Sequence, residues 1–231
     1  MFPPLIITLR ETLEASLIVG IVIAFLHRTN NQQHDPYVWS GVGLGVIVSL
    51  LLAWVFYQFV GGITGQAEYL YEGITMLSAA ALITWMIVWM GKQGKYMRKS
   101  IEDKVAVNLE KGSLIGIFFL VFLSILREGI ETVLFLHAAF LQSQSAFQNV
   151  GAVLGIVIAI GASYILFRTM HTSSLRHFFH ATSILLILFA AGLTAHGIHE
   201  LQEAGVISIL IEHVWDINPK VTNEGVYQLL H

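Results

Sequence analysis

The chain has 231 residues, 55% hydrophobic and only 12% charged, with a mean hydropathy of +0.71. Soluble domains carry about 25% charged residues, so a water-soluble fold is excluded for most of this chain. A net charge of −3 suggests no polyanion and so no nucleic-acid partner, and the absence of cysteine leaves only oxygen and nitrogen as metal ligands.

Six segments are long and apolar enough to span a bilayer, which takes about 20 residues each: 4–27, 37–60, 68–90, 113–141, 147–168 and 179–203. The first has no basic region before it and no small-residue cleavage site after it, so it reads as a retained helix rather than a signal peptide. Inside it, where charge is costly, stand Arg10, Glu11 and Glu14. A charged side chain at membrane depth costs about 3 kcal/mol or more. The pattern returns in the fourth segment as Arg127, Glu128 and Glu131.

Between segments three and four lies the one long polar stretch, 91–112, whose mixed charges suit a surface helix. It holds Lys92, Lys95, Arg98, Lys99, Lys104 and Lys111; the other connections on the same side hold Arg28, Arg168 and Arg176. The opposite connections hold no Lys or Arg, and the tail only Lys220. This bias puts the basic loops in the cytoplasm and both termini outside. After the sixth segment, Gly205–Ile211 is too short to cross and is expected at the interface, followed by Trp215 and Asp216.

The chain therefore reads as an all-α polytopic membrane protein of two three-helix repeats, 1–90 and 113–203, joined by 91–112 and followed by an interfacial tail, 204–231. Beyond the charged motifs, Gly41, Leu44 and Gly45 in the second segment match Gly151, Leu154 and Gly155 in the fifth. An odd number of spans per repeat inverts the second relative to the first, as in many secondary transporters. The glycines are assigned to close helix packing.

On a helix turning about 100° per residue, Arg10, Glu14 and Glu11 fall at about 0°, 40° and 100°. They make one polar stripe, as do Arg127, Glu131 and Glu128, and both stripes should face inward and toward each other. Two arginines against four glutamates leave a formal charge of −2, so the site wants a cation. Four carboxylates without thiolates suit a hard ion. Pairing each arginine with the glutamate four residues on would be a purely structural use, but it leaves Glu11 and Glu128 without partners. Glu68 and Glu72 open the third segment, His137 lies toward the end of the fourth, and His196, His199, Glu200 and Glu203 crowd the end of the sixth. These form a candidate outer capture funnel, with Glu72 the strongest further ligand.

Two Arg-Glu-x-x-Glu motifs in the first and fourth spans of a small polytopic chain resemble the high-affinity, oxidase-dependent iron permeases of the iron/lead transporter family. The likeness runs along all six spans and into the Trp215–Asp216 tail. It implies a transporter rather than an enzyme, in the cytoplasmic (plasma) membrane. It further implies iron, as Fe(III), as the transported substrate with no permanent cofactor, and an oxidase or periplasmic delivery protein as partner. Glu11, Glu14, Glu128 and Glu131 would bind iron, supported by Arg10 and Arg127. The family's seventh span, after the Trp-Asp tail, has no counterpart before His231. Competing readings are a permease for lead or manganese, a non-transporting partner subunit, and an intramembrane di-metal oxidase. The oxidase class combines glutamates with Glu-x-x-His pairs, and no Glu-x-x-His occurs in this chain.

Overall fold

The computed structural model describes residues 2–60, 65–93, 97–142, 147–169 and 172–207. Among them the chain is helical: α1 (Phe2–Arg28), α2 (Asp35–Val60), α3 (Gln66–Gln93), α4 (Met97–Glu110), α5 (Leu114–Gln142), α6 (Gln148–Thr169) and α7 (Thr172–Glu203). Six of these correspond to the six apolar segments, and α4 is the polar helix expected between them. The expected interfacial stretch lies largely, and the Trp215–Asp216 tail wholly, outside the described residues. The helix α7 begins seven residues before the apolar run of 179–203. Hydropathy marks where apolar sequence starts, whereas a polar segment such as 172–178 extends a helix without changing its period.

Local chemistry sets the ends. Pro3 and Pro4 occupy the first turn of α1 and Pro36 that of α2, where a missing N–H costs nothing. The helix α1 closes on Asn30, at φ 58°, with Asn31 N–H donating to the Leu26 carbonyl at 2.8 Å. The same closure ends α4 at Gly112 (φ 62°), where Ser113 N–H reaches the Asn108 carbonyl at 2.8 Å. Both are left-handed caps that satisfy carbonyls the helix leaves open. His27 Nε2 meets Asp35 Oδ2 at 2.7 Å across the short turn into α2.

Among the described residues four helical stretches are long and apolar enough to cross a membrane: Gln32–Gln58, Gln66–Gly91, Gln148–Ile165 and Phe178–Glu203. The remaining long helices, α1 and α5, span 27 and 29 residues; what sets them apart is the charge each carries midway. Large apolar side chains cover the outer surface, among them Leu50, Trp54 and Tyr57 on α2 and Val153, Val157 and Ile160 on α6. Such a surface is a liability in water and normal against lipid.

The helix pairings are α1 with α6, α2 with α5, and α3 with α7, while α1 and α5 cross each other at the centre. Two apolar cores result. One gathers Ile7, Met76, Ile83, Phe135, Leu186 and Leu193; the other gathers Val22, Leu26, Val38, Val105, Ile117 and Val121. The early residues of α1 share a core with the late residues of α5, and the reverse holds in the second core, so the two helices run antiparallel. Val105 brings α4 into the second core.

Glycines set two of the close approaches. A Cβ on Gly45 would press on the Phe122 carbonyl and Ile125, and one on Gly155 would press on the Leu5 carbonyl and Thr8. Phe122 and Ile125 precede Arg127 by the same steps that separate Leu5 and Thr8 from Arg10. The α2–α5 and α1–α6 contacts are therefore the same contact made twice.

Candidate metal site

Between the two apolar cores lies a polar layer made by the midpoints of α1 and α5. Arg10, Glu11 and Glu14 are 1%, 1% and 6% exposed, and Glu128 5%. On α1 the arginine bridges its own neighbours: Nη1 lies 3.0 Å from Glu11 Oε1 and Nη2 lies 2.7 Å from Glu14 Oε1. On α5 the arrangement is looser. Arg127 Nε donates to Glu131 Oε1 at 2.7 Å, and this pair is partly open, 48% and 21% exposed.

The carboxylates of the two helices converge. Glu11, Glu128 and Glu131 each bring an oxygen within 4.8 Å of the others, a spacing that one metal ion could bridge. Each of the three also has a buried Oε2 without a hydrogen-bond partner. Buried carboxylate oxygens are normally satisfied, and leaving one unmade costs about 1–3 kcal/mol or more. Three such oxygens in one place form a set of acceptors that could hold a cation. Glu14 is not brought into the triad; its carboxylate faces Arg10.

Other elements complete the layer. Met86 and Met90 of α3 accept from Arg10, Nη1 to Sδ at 2.6 Å and Nη2 to Sδ at 3.3 Å. The Arg127 guanidinium lies over the Trp89 ring, 5.0 Å from its centroid. A cavity of about 280 Å³ opens between α3 and α5, lined by Trp85, Met86, Trp89, Arg127, Glu131 and Phe135 among others. Sequence reasoning missed Met86, Trp89 and Met90, having given α3 only Glu68 and Glu72. Their i, i+3, i+4 spacing marks one helical face, but nothing local says that arginines lie opposite it.

The remaining candidates lie elsewhere. Glu72 is within electrostatic reach of Glu68 and Glu200, and Glu200 of Glu203, His196 and His199. This group sits where α3 and α7 cross at Gly73 and Gly197, with His199 Nε2 3.2 Å from Glu203 Oε1. The fold thus assembles the outer residues from two helices and does not join them to the triad. His137 is engaged by Tyr71, Nε2 to hydroxyl 2.9 Å, and by the edge of Phe56 at 5.0 Å.

A bundle of long apolar helices with charged side chains buried at its centre defines a helical membrane protein. Comparison with known proteins narrows the class: the chain belongs to the iron permease FTR1 family, which it matches over residues 1–231. It is 32% identical to the ferrous iron permease EfeU of Escherichia coli O6:K15:H31, over 100% of this chain and 84% of that protein. It is 34% identical to the ferrous iron permease EfeU of Yersinia pestis, over 98% of this chain and 81% of that protein. No solved structure matches it.

Proposed function

We propose that this chain is a plasma-membrane permease that moves iron into the cytoplasm through the carboxylate layer between α1 and α5. The observation that carries this reading is the triad of Glu11, Glu128 and Glu131, each with a buried unpartnered oxygen. Arg10 and Arg127 hold part of the carboxylate charge while the site is empty and leave a formal −2 for the ion. Glu14 acts as the counter-ion of Arg10, and Glu72 with Glu68, His196, His199, Glu200 and Glu203 forms an outer acidic approach that raises local cation concentration.

The topology of the proposal is six spans in two inverted repeats with the N-terminus outside. Three observations support it: the antiparallel crossing of α1 and α5, the matched Gly45 and Gly155 contacts, and helix pairings that survive exchange of the two halves. The cargo at the triad is Fe(III), because a hard trivalent ion suits an all-carboxylate site of this charge. A second reading, transport as Fe(II), is favoured by the relatives' names. An oxidase or a periplasmic delivery protein would supply the ion in the first case.

The test is uptake of radioactive iron into liposomes holding the purified chain, supplied either as Fe(III)–citrate or as Fe(II) with ascorbate. Uptake from one form only assigns the oxidation state. Mn(II) and Pb(II) as competitors examine the cargo; transport of either in preference to iron overturns the assignment. Glu128→Gln should abolish uptake while the protein still inserts. Full uptake by that variant sinks the carboxylate route.

A further inference from the structure

The two arginines of the site are held differently, and the difference lies in α3. Arg10 is buried, its two terminal nitrogens close to Glu11, Glu14 and the sulfurs of Met86 and Met90, although its Nε and Glu14 Oε1 have no hydrogen-bond partner. Arg127 gives one N–H, from Nε, to Glu131 Oε1, while its guanidinium carbon lies 5.0 Å from the centre of the Trp89 ring. A guanidinium can grip a carboxylate through two parallel N–H groups. Here Glu131 Oε2 remains buried and unpartnered instead, and that residue completes the triad with Glu11 and Glu128.

We propose that Trp89 is a positioning residue for transport: its ring holds the Arg127 guanidinium to one side, so that Glu131 keeps an oxygen free for the metal. In this role Trp89 acts through Arg127. The ring face is negative and attracts a planar cation, which favours one of two orientations of a side chain that a cavity gives room to move. Trp89, Arg127 and Glu131 line the same cavity of about 280 Å³. When an ion binds Glu131, its charge repels Arg127, and the Trp89 face gives the guanidinium, 48% exposed here, a resting place other than a competing carboxylate.

This inference rests on the proposed carboxylate route, and its test separates the two. Iron uptake kinetics are measured in liposomes for Trp89→Leu and Trp89→Phe, each with and without Arg127→Gln. Trp89→Leu should raise KM for iron about tenfold, about 1.4 kcal/mol, with kcat within about twofold, as expected for lost ground-state affinity. Trp89→Phe keeps a ring face and should recover most of the loss. In the Arg127→Gln background Trp89→Leu should have no further effect, because nothing remains to be positioned.

Site-specific incorporation of progressively fluorinated tryptophans at position 89 drains the ring face without changing its shape, so KM should climb with fluorination even if Trp89→Leu fails to insert. A KM unmoved by fluorination, or equal losses from Leu with and without Arg127, overturns the positioning role. If Glu11→Gln and Glu128→Gln retain full uptake, it is the carboxylate route that fails, whatever position 89 does. If those two abolish uptake while Trp89→Leu keeps the parent KM, only the present inference fails.

Discussion

Glu11→Gln separates a metal ligand from a mere counter-ion within one motif. Glu11 and Glu14 both pair with Arg10, at 3.0 and 2.7 Å, but only Glu11 joins Glu128 and Glu131. The amide is nearly isosteric, and its oxygen still accepts from Arg10, which keeps Glu14, so folding should change little. What is lost is one full charge next to the ion. At an effective dielectric near 20, unit charges about 4 Å apart interact by about 4 kcal/mol, and a trivalent ion triples that. Allowing for what the amide oxygen recovers, a net loss of about 3 kcal/mol or more remains, a fall of at least about 100-fold in kcat/KM. The assay is initial-rate iron uptake in liposomes at matched protein density, with Glu14→Gln alongside. Glu14→Gln should cost less than about tenfold, since its carboxylate serves Arg10. Uptake by Glu11→Gln within about threefold of the parent, or equal losses in both variants, would refute the assignment.

Arg10→Met should destabilise the bundle by about 3–5 kcal/mol, because it strands two buried carboxylates. Arg127→Met, half exposed in the parent, should cost clearly less, and unfolding in mixed micelles of increasing SDS compares the two. Gly155→Ala should push α1 from α6 and cost about 1–3 kcal/mol by overpacking. Gly161→Ala, with open space around its Cβ, should be neutral or slightly stabilising in the same assay. Glu200→Gln in the acidic cluster between α3 and α7 should raise KM for iron a few-fold at low ionic strength with kcat unchanged. That difference should vanish in about 1 M salt, where the screening length is about 3 Å.

Much of this was legible in the chain itself. The six long helices follow from apolar runs, and the burial of Arg10, Glu11, Glu14 and Glu128 follows from the cost of charge in lipid, whereas Arg127, expected to turn inward, is 48% exposed. Both are properties of a segment and its solvent and need no knowledge of neighbours. The duplication of Arg-Glu-x-x-Glu likewise pointed to α1 and α5 as partners, and the two helices are in contact. The start of α7 was less legible, because residues 172–178 are helical without being apolar.

What only the tertiary structure decided is how four like glutamates are partnered and which of them come together. In sequence, Glu11 and Glu14 stand to Arg10 as Glu128 and Glu131 stand to Arg127. In the fold, Arg10 takes both of its glutamates and two thioethers. Arg127 takes one glutamate and lies over an indole. The repeat is broken by α3, which supplies Met86 and Met90 to one arginine and Trp89 to the other. Which oxygen is left free depends on side chains about 40 to 80 positions away in the chain. Local pattern cannot specify such contacts, since they exist only once the helices have packed.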